Sequence, residues 1–502
     1  MVPRGGDKIS WCCAVVLAAM STVNVRAADW TTTTGLSVTE RYTDNVELVD
    51  KGKESELVTV VAPNLTLKGV GGKLKVDLTA ALEYNDAGGS GDSVNPRFSG
   101  NSNAELVDDR LFFDARASAV QNRIDPFRPA GFDNLSRSRP ADGRGLRDGN
   151  TSTTYSYVLN PYLRGHFKDF ANMRLGYTFD DQLNSSNTRD DPLSSGGDLS
   201  DSSRQAVDFN LDSGTDFALL SWGVAANYSK TDYDGSSDTG QSSDSELMST
   251  DLRLGYRVSR KWQLRASVGK EWNDFNSVRS DVDGTRWDFG TVWTPNKRTS
   301  VNVGYGKRFF GGFPTLDVSY RRKRNVLTAS YSKVLTDART LRLQQIVFED
   351  TDPFGNPVDP ITGEPIPVSL VFVLPTDSQI VDERFKASWA IQGKRTTVTL
   401  KQEHSIQQTQ DSREDTEYVT SSLSLSRTLS SKLSFDSSIH RSNQTNELND
   451  DFNTWRFQMA LNRRLGAKSN VRLGYTHADR DSDLVDDDYA ENQINMTYRI
   501  TF

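Results

Sequence analysis

The chain has 502 residues, and its 59 lysines and arginines against 67 aspartates and glutamates give a formal charge of −8, a balance that argues against a nucleic-acid partner because phosphate binding needs a cationic excess. Its two cysteines, Cys12 and Cys13, are adjacent near the N-terminus, so the rest of the chain offers no disulfide, thiolate metal site or cysteine nucleophile. No stretch reaches the ~18 apolar residues of a spanning helix, so a membrane-crossing form of this chain has to cross with strands.

Residues 1–27 read as a signal peptide: Arg4 and Lys8 are positive, Ile9 to Met20 is a short apolar run, and Val25-Arg26-Ala27 is a small-x-small cleavage pattern. Trp11 stands where a lipoprotein box would need a small residue, which argues against a lipid anchor. Cleavage after Ala27 leaves a cysteine-free chain with a charge of roughly −10. Residues 28–502 show no linker or change of pattern, so they are expected to form one domain.

The first strand is expected at Gly35 to Val46. From Lys73 to Asn85, Leu74, Val76, Leu78, Ala80, Leu82 and Tyr84 alternate with polar neighbours, and Gly71-Gly72 turns the chain from the preceding run of Leu65, Leu67 and Gly69. The unit recurs at Met173 to Phe179, Leu220 to Tyr228 and Trp455 to Leu461, with aromatics toward strand ends. Tight turns are expected at Gly71-Gly72, Asp108-Asp109, Lys168-Asp169, Ser213-Gly214, Ser259-Arg260, Pro295-Asn296, Gly393-Lys394, Ser430-Ser431 and Gly466-Ala467. Long polar loops fall between them, notably 122–150, 181–202 and 337–379. Short turns at one end and long loops at the other are the outer-membrane arrangement, with the turns in the periplasm.

These features predict an all-β fold, a transmembrane antiparallel up-and-down β-barrel of about 22 strands (roughly 20 to 24). Within 337–379, Ile346-Val347-Phe348 and Leu370-Val371-Phe372 are expected to pair as an external hairpin rather than as a spanning pair. The last strand, Asp488 to Phe502, places Tyr498, Ile500 and the terminal Phe502 on one face, a pattern similar to the signal read by the barrel-insertion machinery. The few residues between Ala28 and Gly35 leave no room for a plug domain of the kind an iron-chelate transporter would carry, so the barrel is expected to have none. A soluble sandwich or propeller would also alternate, but neither requires alternating long and short connections.

Catalysis has little support: His166, His404, His440 and His477 are scattered, with no HExxH spacing and no GxSxG elbow, so no catalytic residue, cofactor or metal site is assigned and the protein is expected not to be an enzyme. Asp479, Asp481 and Asp483 resemble an EF-hand opening, but Leu484 stands where the loop needs glycine. A solvated acidic loop beside lipopolysaccharide is the expected reading. The inner face carries more information. Alternation turns Arg116, Arg164, Arg174, Arg253, Arg257, Arg265, Arg286, Arg308, Arg321, Lys401, Arg456, Arg472 and Arg499 inward, toward Asp77, Asp114, Asp180, Asp208, Asp251, Asp288, Asp317 and Asp436. Two readings stay open: the charges pair across strands and hydrate the wall, or they line a conduit that favours anionic solutes.

Several stretches resemble one family. Glu40-Arg41-Tyr42-Thr43-Asp44-Asn45-Val46, Phe112-Phe113-Asp114-Ala115-Arg116-Ala117-Ser118, Trp293-Thr294-Pro295 with Arg298-Thr299-Ser300, and Gly304-Tyr305-Gly306-Lys307-Arg308-Phe309-Phe310-Gly311 are similar to the outer-membrane β-barrel proteins of PEP-CTERM/exosortase systems. The resemblance covers most of the chain from residue 28 through Thr336. It implies a Gram-negative outer membrane and a setting of exopolysaccharide production, and it assigns no activity and no site residue.

The function expected on these grounds is a channel that assists export or assembly of exopolysaccharide. Its partners would be outer-membrane lipid and lipopolysaccharide, the insertion machinery, an anionic polysaccharide and periplasmic export components. A structural or adhesive barrel with glycan- or cation-binding loops and a general diffusion porin are the alternatives.

Overall fold

Segments with one apolar and one polar face are stable only where two different solvents meet, and a closed sheet between lipid and a wet interior supplies both while leaving no edge. The computed structural model describes residues 28–46, 48–86, 92–123, 151–186, 200–234, 244–342, 350–351, 357–358, 376–412, 414–446, 451–483 and 487–502. In chain order the strands are β1 (Ala28–Thr43), β2 (Glu56–Gly71), β3 (Leu74–Asp86), β4 (Asp92–Val107), β5 (Leu111–Arg123), β6 (Thr151–Phe167), β7 (Ala171–Ser186) and β8 (Asp201–Ser213). Then follow β9 (Leu220–Asp234), β10 (Ser245–Arg257), β11 (Trp262–Asp274), β12 (Gly284–Asn296), β13 (Thr299–Arg308), β14 (Gly311–Arg322) and β15 (Asn325–Asp337). After one helical turn, α1 (Ala338–Arg342), come the two-residue β16 (Asp350–Thr351) and β17 (Pro357–Val358). The series ends with β18 (Gln379–Gln392), β19 (Thr396–Thr409), β20 (Asp415–Ser430), β21 (Leu433–Asn446), β22 (Phe452–Arg464), β23 (Ser469–Ser482) and β24 (Tyr489–Thr501).

All strands but β16 and β17 form one 22-stranded antiparallel sheet, each pairing with its sequence neighbours. β15 pairs directly with β18, from Asn325↔Ile391 to Asp337↔Gln379, so the insert adds no spanning pair. β16 and β17 pair only with each other, and the expected hairpin partners Ile346–Phe348 and Leu370–Phe372 lie outside the described residues. β1 and β24 close the ring from Gly35↔Thr501 to Thr43↔Gln493. Among the described residues no helix is long and apolar enough to cross a membrane.

One face of the sheet is apolar and exposed. Leu252 pairs with Val268, Val268 with Trp287, and Phe289 with Tyr305, and each side chain is open to the surroundings. An apolar girdle of this kind is costly in water and is the lipid-facing surface of a transmembrane barrel. Stacked Trp262 and Trp293, 5.6 Å apart, and the cluster of Phe170, Phe217 and Trp222 mark one rim of the girdle. The opposite face is polar and is the lumen.

The sequence reading differs from the structure at several boundaries. The first strand begins at Ala28 and not Gly35, because the β-branched run Thr31 to Thr34 continues the ladder with β2. Residues 181–186 and 201–202, expected as loop, are strand, since polar side chains are as acceptable as apolar ones where a wall rises above the lipid. The turn expected at Pro295-Asn296 is at Lys297-Arg298, after an irregularity between Trp293 and Asn296. A turn at Lys323-Arg324 carried no glycine to announce it, and Lys323 takes the left-handed conformation instead, with φ 48°. Proline within β6 interrupts the ladder to β7, and the Asn160 amide repairs it by donating to the Tyr177 carbonyl at 3.2 Å and to Thr178 at 2.6 Å.

Candidate functional site in the barrel lumen

Two arcs of the lumen wall differ in charge. Across β7 to β14 the inward positions hold Arg174, Arg204, Arg253, Arg257, Arg265, Arg286, Arg308 and Arg321 against Asp180, Asp208, Asp212, Asp251, Glu271, Asp288 and Asp317, close to balance. The opposite charges interlock. Arg253 donates to Asp212 at 3.1 Å, Arg286 donates to Asp251 through Nε at 2.6 Å, and Arg308 donates to Glu271 at 2.6 Å. Arg265 lies 3.6 Å from Asp288 and donates to Thr315 at 3.0 Å. Arg174 is bonded to Asp208, which matters because Arg164 stands directly opposite Arg174 in the ladder. Like charges in that position repel. The Arg164 guanidinium is also held 4.6 Å from the ring centre of Phe112 and 5.1 Å from that of Tyr162.

Glycines make this tight layer possible. A Cβ at Gly304 would stand 2.8 Å from Arg265 and 2.7 Å from Thr315, and one at Gly223 would stand 2.5 Å from Asp212. Each such glycine is the floor on which a neighbouring polar side chain lies flat, so the charge layer hugs the wall.

The second arc is unbalanced. Across β22 to β24 and β1 the inward positions hold Arg456, Arg464, Arg472, Arg480, Arg499 and Arg41 against Glu491 and Asp29. Arg480 pairs with Asp487 at 2.8 Å near the loop end. Below it Arg472 donates to Asn462 at 3.4 Å, Arg456 stands opposite His440, and Arg499 stands opposite Ser37 and Asn470. Across β21, which turns Ser434, Asp436, Ser438 and Ser442 inward, the inward stripe on β20 is Thr420, Ser422, Ser424 and Ser426, a run of hydroxyls. A curved wall that presents guanidinium groups beside hydroxyls can hold an anion bearing many oxygens, because both groups donate to oxygen without needing a fixed pose.

The structure places most of the predicted lumen residues on the two arcs and Arg116 and Arg164 outside them, on β5 and β6. Arg174, Arg253, Arg265 and Arg308 belong to the interlocked one, Arg456 and Arg472 to the basic one, and Arg164 to the aromatic stack. Arg116 donates to Asn101 at 3.0 Å on β4. Tyr498 and Ile500 stand opposite Val38 and Leu36 at the closing seam, and the Phe502 amide donates to the Thr34 carbonyl at 2.8 Å. Glu271, nearly sealed behind Arg308, was not singled out in the sequence, although its step of two from Gly269 was the signal that could have found it. The histidines do not converge: His404 meets Glu417 at 2.6 Å on the outer face, His477 meets Asn492 at 3.0 Å, and His440 faces the lumen. Among the described residues no group of three or more potential metal ligands gathers, and Leu484 of the EF-hand-like stretch lies outside them.

No family model matches the sequence and no curated protein does. Solved structures match the fold. A ferric enterobactin receptor mutant of Pseudomonas aeruginosa in complex with enterobactin is 11% identical, with 94% of this chain and 81% of that chain covered at a TM-score of 0.53. The FrpB iron transporter of Neisseria meningitidis is 9% identical, with 94% and 82% covered and a TM-score of 0.53. The siderophore receptor PirA of Acinetobacter baumannii is 10% identical, with 94% and 81% covered and a TM-score of 0.52. These likenesses establish a large transmembrane barrel of outer-membrane type.

They also correct the expected fold class. The strand count and antiparallel closure stand, but the expected lack of a plug does not follow, because the same wall fold is that of structures described as a ferric enterobactin receptor and an iron transporter. A wall needs only a polar inner face whatever occupies it, so strand alternation carried no information on a plug. The short spacer on which the expectation rested is itself part of β1.

Proposed function

We propose that this barrel is an outer-membrane passage for an anionic solute, with an acidic saccharide as its substrate class. The observation that carries the reading is the basic arc of β22 to β24 and β1, where arginines outnumber carboxylates in a chain that is acidic overall. Charge on a low-dielectric wall concentrates counter-ions of the opposite sign. The flat interlocked layer on β7 to β14 keeps the other side of the wall near neutrality, so preference would come from one side of the lumen.

Planar-bilayer recordings of the whole protein in a salt gradient test this. A reversal potential favouring anions is expected, and Arg456→Gln with Arg472→Gln and Arg499→Gln should shift it toward zero. Unchanged selectivity in the triple variant, or silent membranes with folded protein, would reject the reading. The resemblance to exosortase-system barrels supports an exopolysaccharide as the solute, with export or assembly as the direction. Loss of secreted polysaccharide in a deletion strain is then expected, and undiminished polysaccharide would reject that part alone. A second reading, uptake of an iron chelate, is favoured by the likeness to barrels described as siderophore and enterobactin receptors. Under it, deletion should slow growth on a siderophore as the iron source and leave polysaccharide intact.

A further inference from the structure

At the barrel end remote from Ala28 and Phe502, the strand ends do not stand apart in a ring. β15 ends at Asp337, whose carboxylate caps α1 by accepting a hydrogen bond from the Thr340 amide at 2.6 Å. Ala338 and Leu341 on α1 bury themselves against Ile380 of β18. Arg339 between them reaches β7 and β8 instead of its own neighbours. Its Nη1 donates to the Asp180 carboxylate at 2.8 Å, its Nη2 to the Asp180 carbonyl at 3.0 Å, and its Nε to Ser202 at 2.9 Å. The Arg339 side chain is 1% exposed. Along the wall, β8 and β15 are separated by β9 through β14, so this contact crosses the mouth.

One further contact runs along the same line, between Ser200 and Asp377, and two more fasten the mouth ends of β10 and β11 to β18 and β19. Ser200 donates to Asp377, and Gln379 donates to Ser245 at 3.2 Å. Arg279, between β11 and β12, donates to Gln410 at 3.1 Å and to Gln408 at 2.9 Å. The strands beneath are the shortest of the wall, β13 with 10 residues and β14 with 12, joined by Phe309-Phe310 alone. The wall is therefore low there, and the taller ends on either side meet over it.

We propose that this seam is a releasable latch, with Arg339 and Asp180 as its bolt, that separates a small lobe bounded by β9 to β14 from the rest of the mouth and governs access to that lobe. The inference rests on reading the barrel as a passage. A permanent partition would be built on apolar burial, whereas beyond the small wedge of Ala338, Leu341 and Ile380 this seam is made of charged and polar groups. Such groups are hydrated when released, and a buried ion pair gains little over its hydrated partners, so docked and released states lie close in free energy. An apolar wedge and a bidentate ion pair together give the docked state one defined geometry.

The test uses the full chain with Cys12 and Cys13 replaced by serine, a disulfide pair S200C/D377C across the seam, and a reporter, Ser249→Cys, at an inward position near the mouth end of β10 inside the small lobe. A bulky maleimide is added outside intact cells and the rate of reporter labelling is followed. The oxidised protein should label slowest and the reduced protein faster. The reduced protein with Asp180→Asn should be fastest, by roughly tenfold over the oxidised form, since the bolt then loses its charged acceptor. Failure of the disulfide to form in folded barrels would overturn the seam, and equal labelling rates in all three states would overturn the latch. Latch-dependent labelling with unchanged selectivity in the arginine variants would reject the anion reading and leave the latch standing; the converse would reject the latch alone.

Discussion

Single side chains in this wall act through what they lie upon. Glu271 is 1% exposed at its side chain and accepts from Arg308 at 2.6 Å and from the Phe309 amide at 3.3 Å, so it ties the shortest hairpin to β11. Glu271→Ala strands a partly sequestered guanidinium and is expected to destabilise the barrel by about 3 kcal/mol, read as a shift of the denaturant midpoint in detergent. Gly269 makes a complementary case: an added Cβ would lie 2.2 Å from the Thr250 carbonyl oxygen and 2.3 Å from Asp251. Backbone cannot rotate away as a side chain can. Gly269→Ala is therefore expected to cost about 1–3 kcal/mol and to weaken the Asp251 to Arg286 contact, measured on the same scale. The inward arginines were legible as residues because alternation alone decides facing. Which of them interlock was not, since a partner such as Asp212 for Arg253 lies two strands away and is set by register.

Elements follow the same division. β24 was readable from its end, where Tyr498, Ile500 and Phe502 repeat with period two, and the structure uses that strand to close the ring on β1. If the C-terminal pattern is the assembly signal, deletion of Phe502 should lower the amount of barrel in the outer membrane while refolding of purified protein in detergent proceeds at the parental yield. Equal membrane levels would remove that role. The turn at Lys323-Arg324 and the short β13 to β14 hairpin were harder to read, because neither carries the polar run that marks a loop. In Phe309-Phe310 the two aromatics instead pack among themselves and with Phe313, with ring centres 5.2 Å and 6.3 Å apart. α1 had no sequence signature at all, being a single turn held by a cap and a wedge.

At the scale of the molecule, the sequence by itself determined a strand-crossed barrel of about 22 strands, the polarity of its two faces and the surplus of inward arginines, because each follows from a period of two between lipid and water. Three things were decided only by tertiary structure. The arcs differ in how their charges interlock because register sets which inward side chains meet across neighbouring strands, and closure brings β1 and β24 with their arginines side by side. The short spacer ahead of the first expected strand proved to be wall, since pairing with β2 extends β1 back to Ala28. The mouth is crossed by Arg339 because β13 and β14 are short enough for distant strand ends to meet above them, a contact between residues 159 apart in sequence that no local pattern encodes.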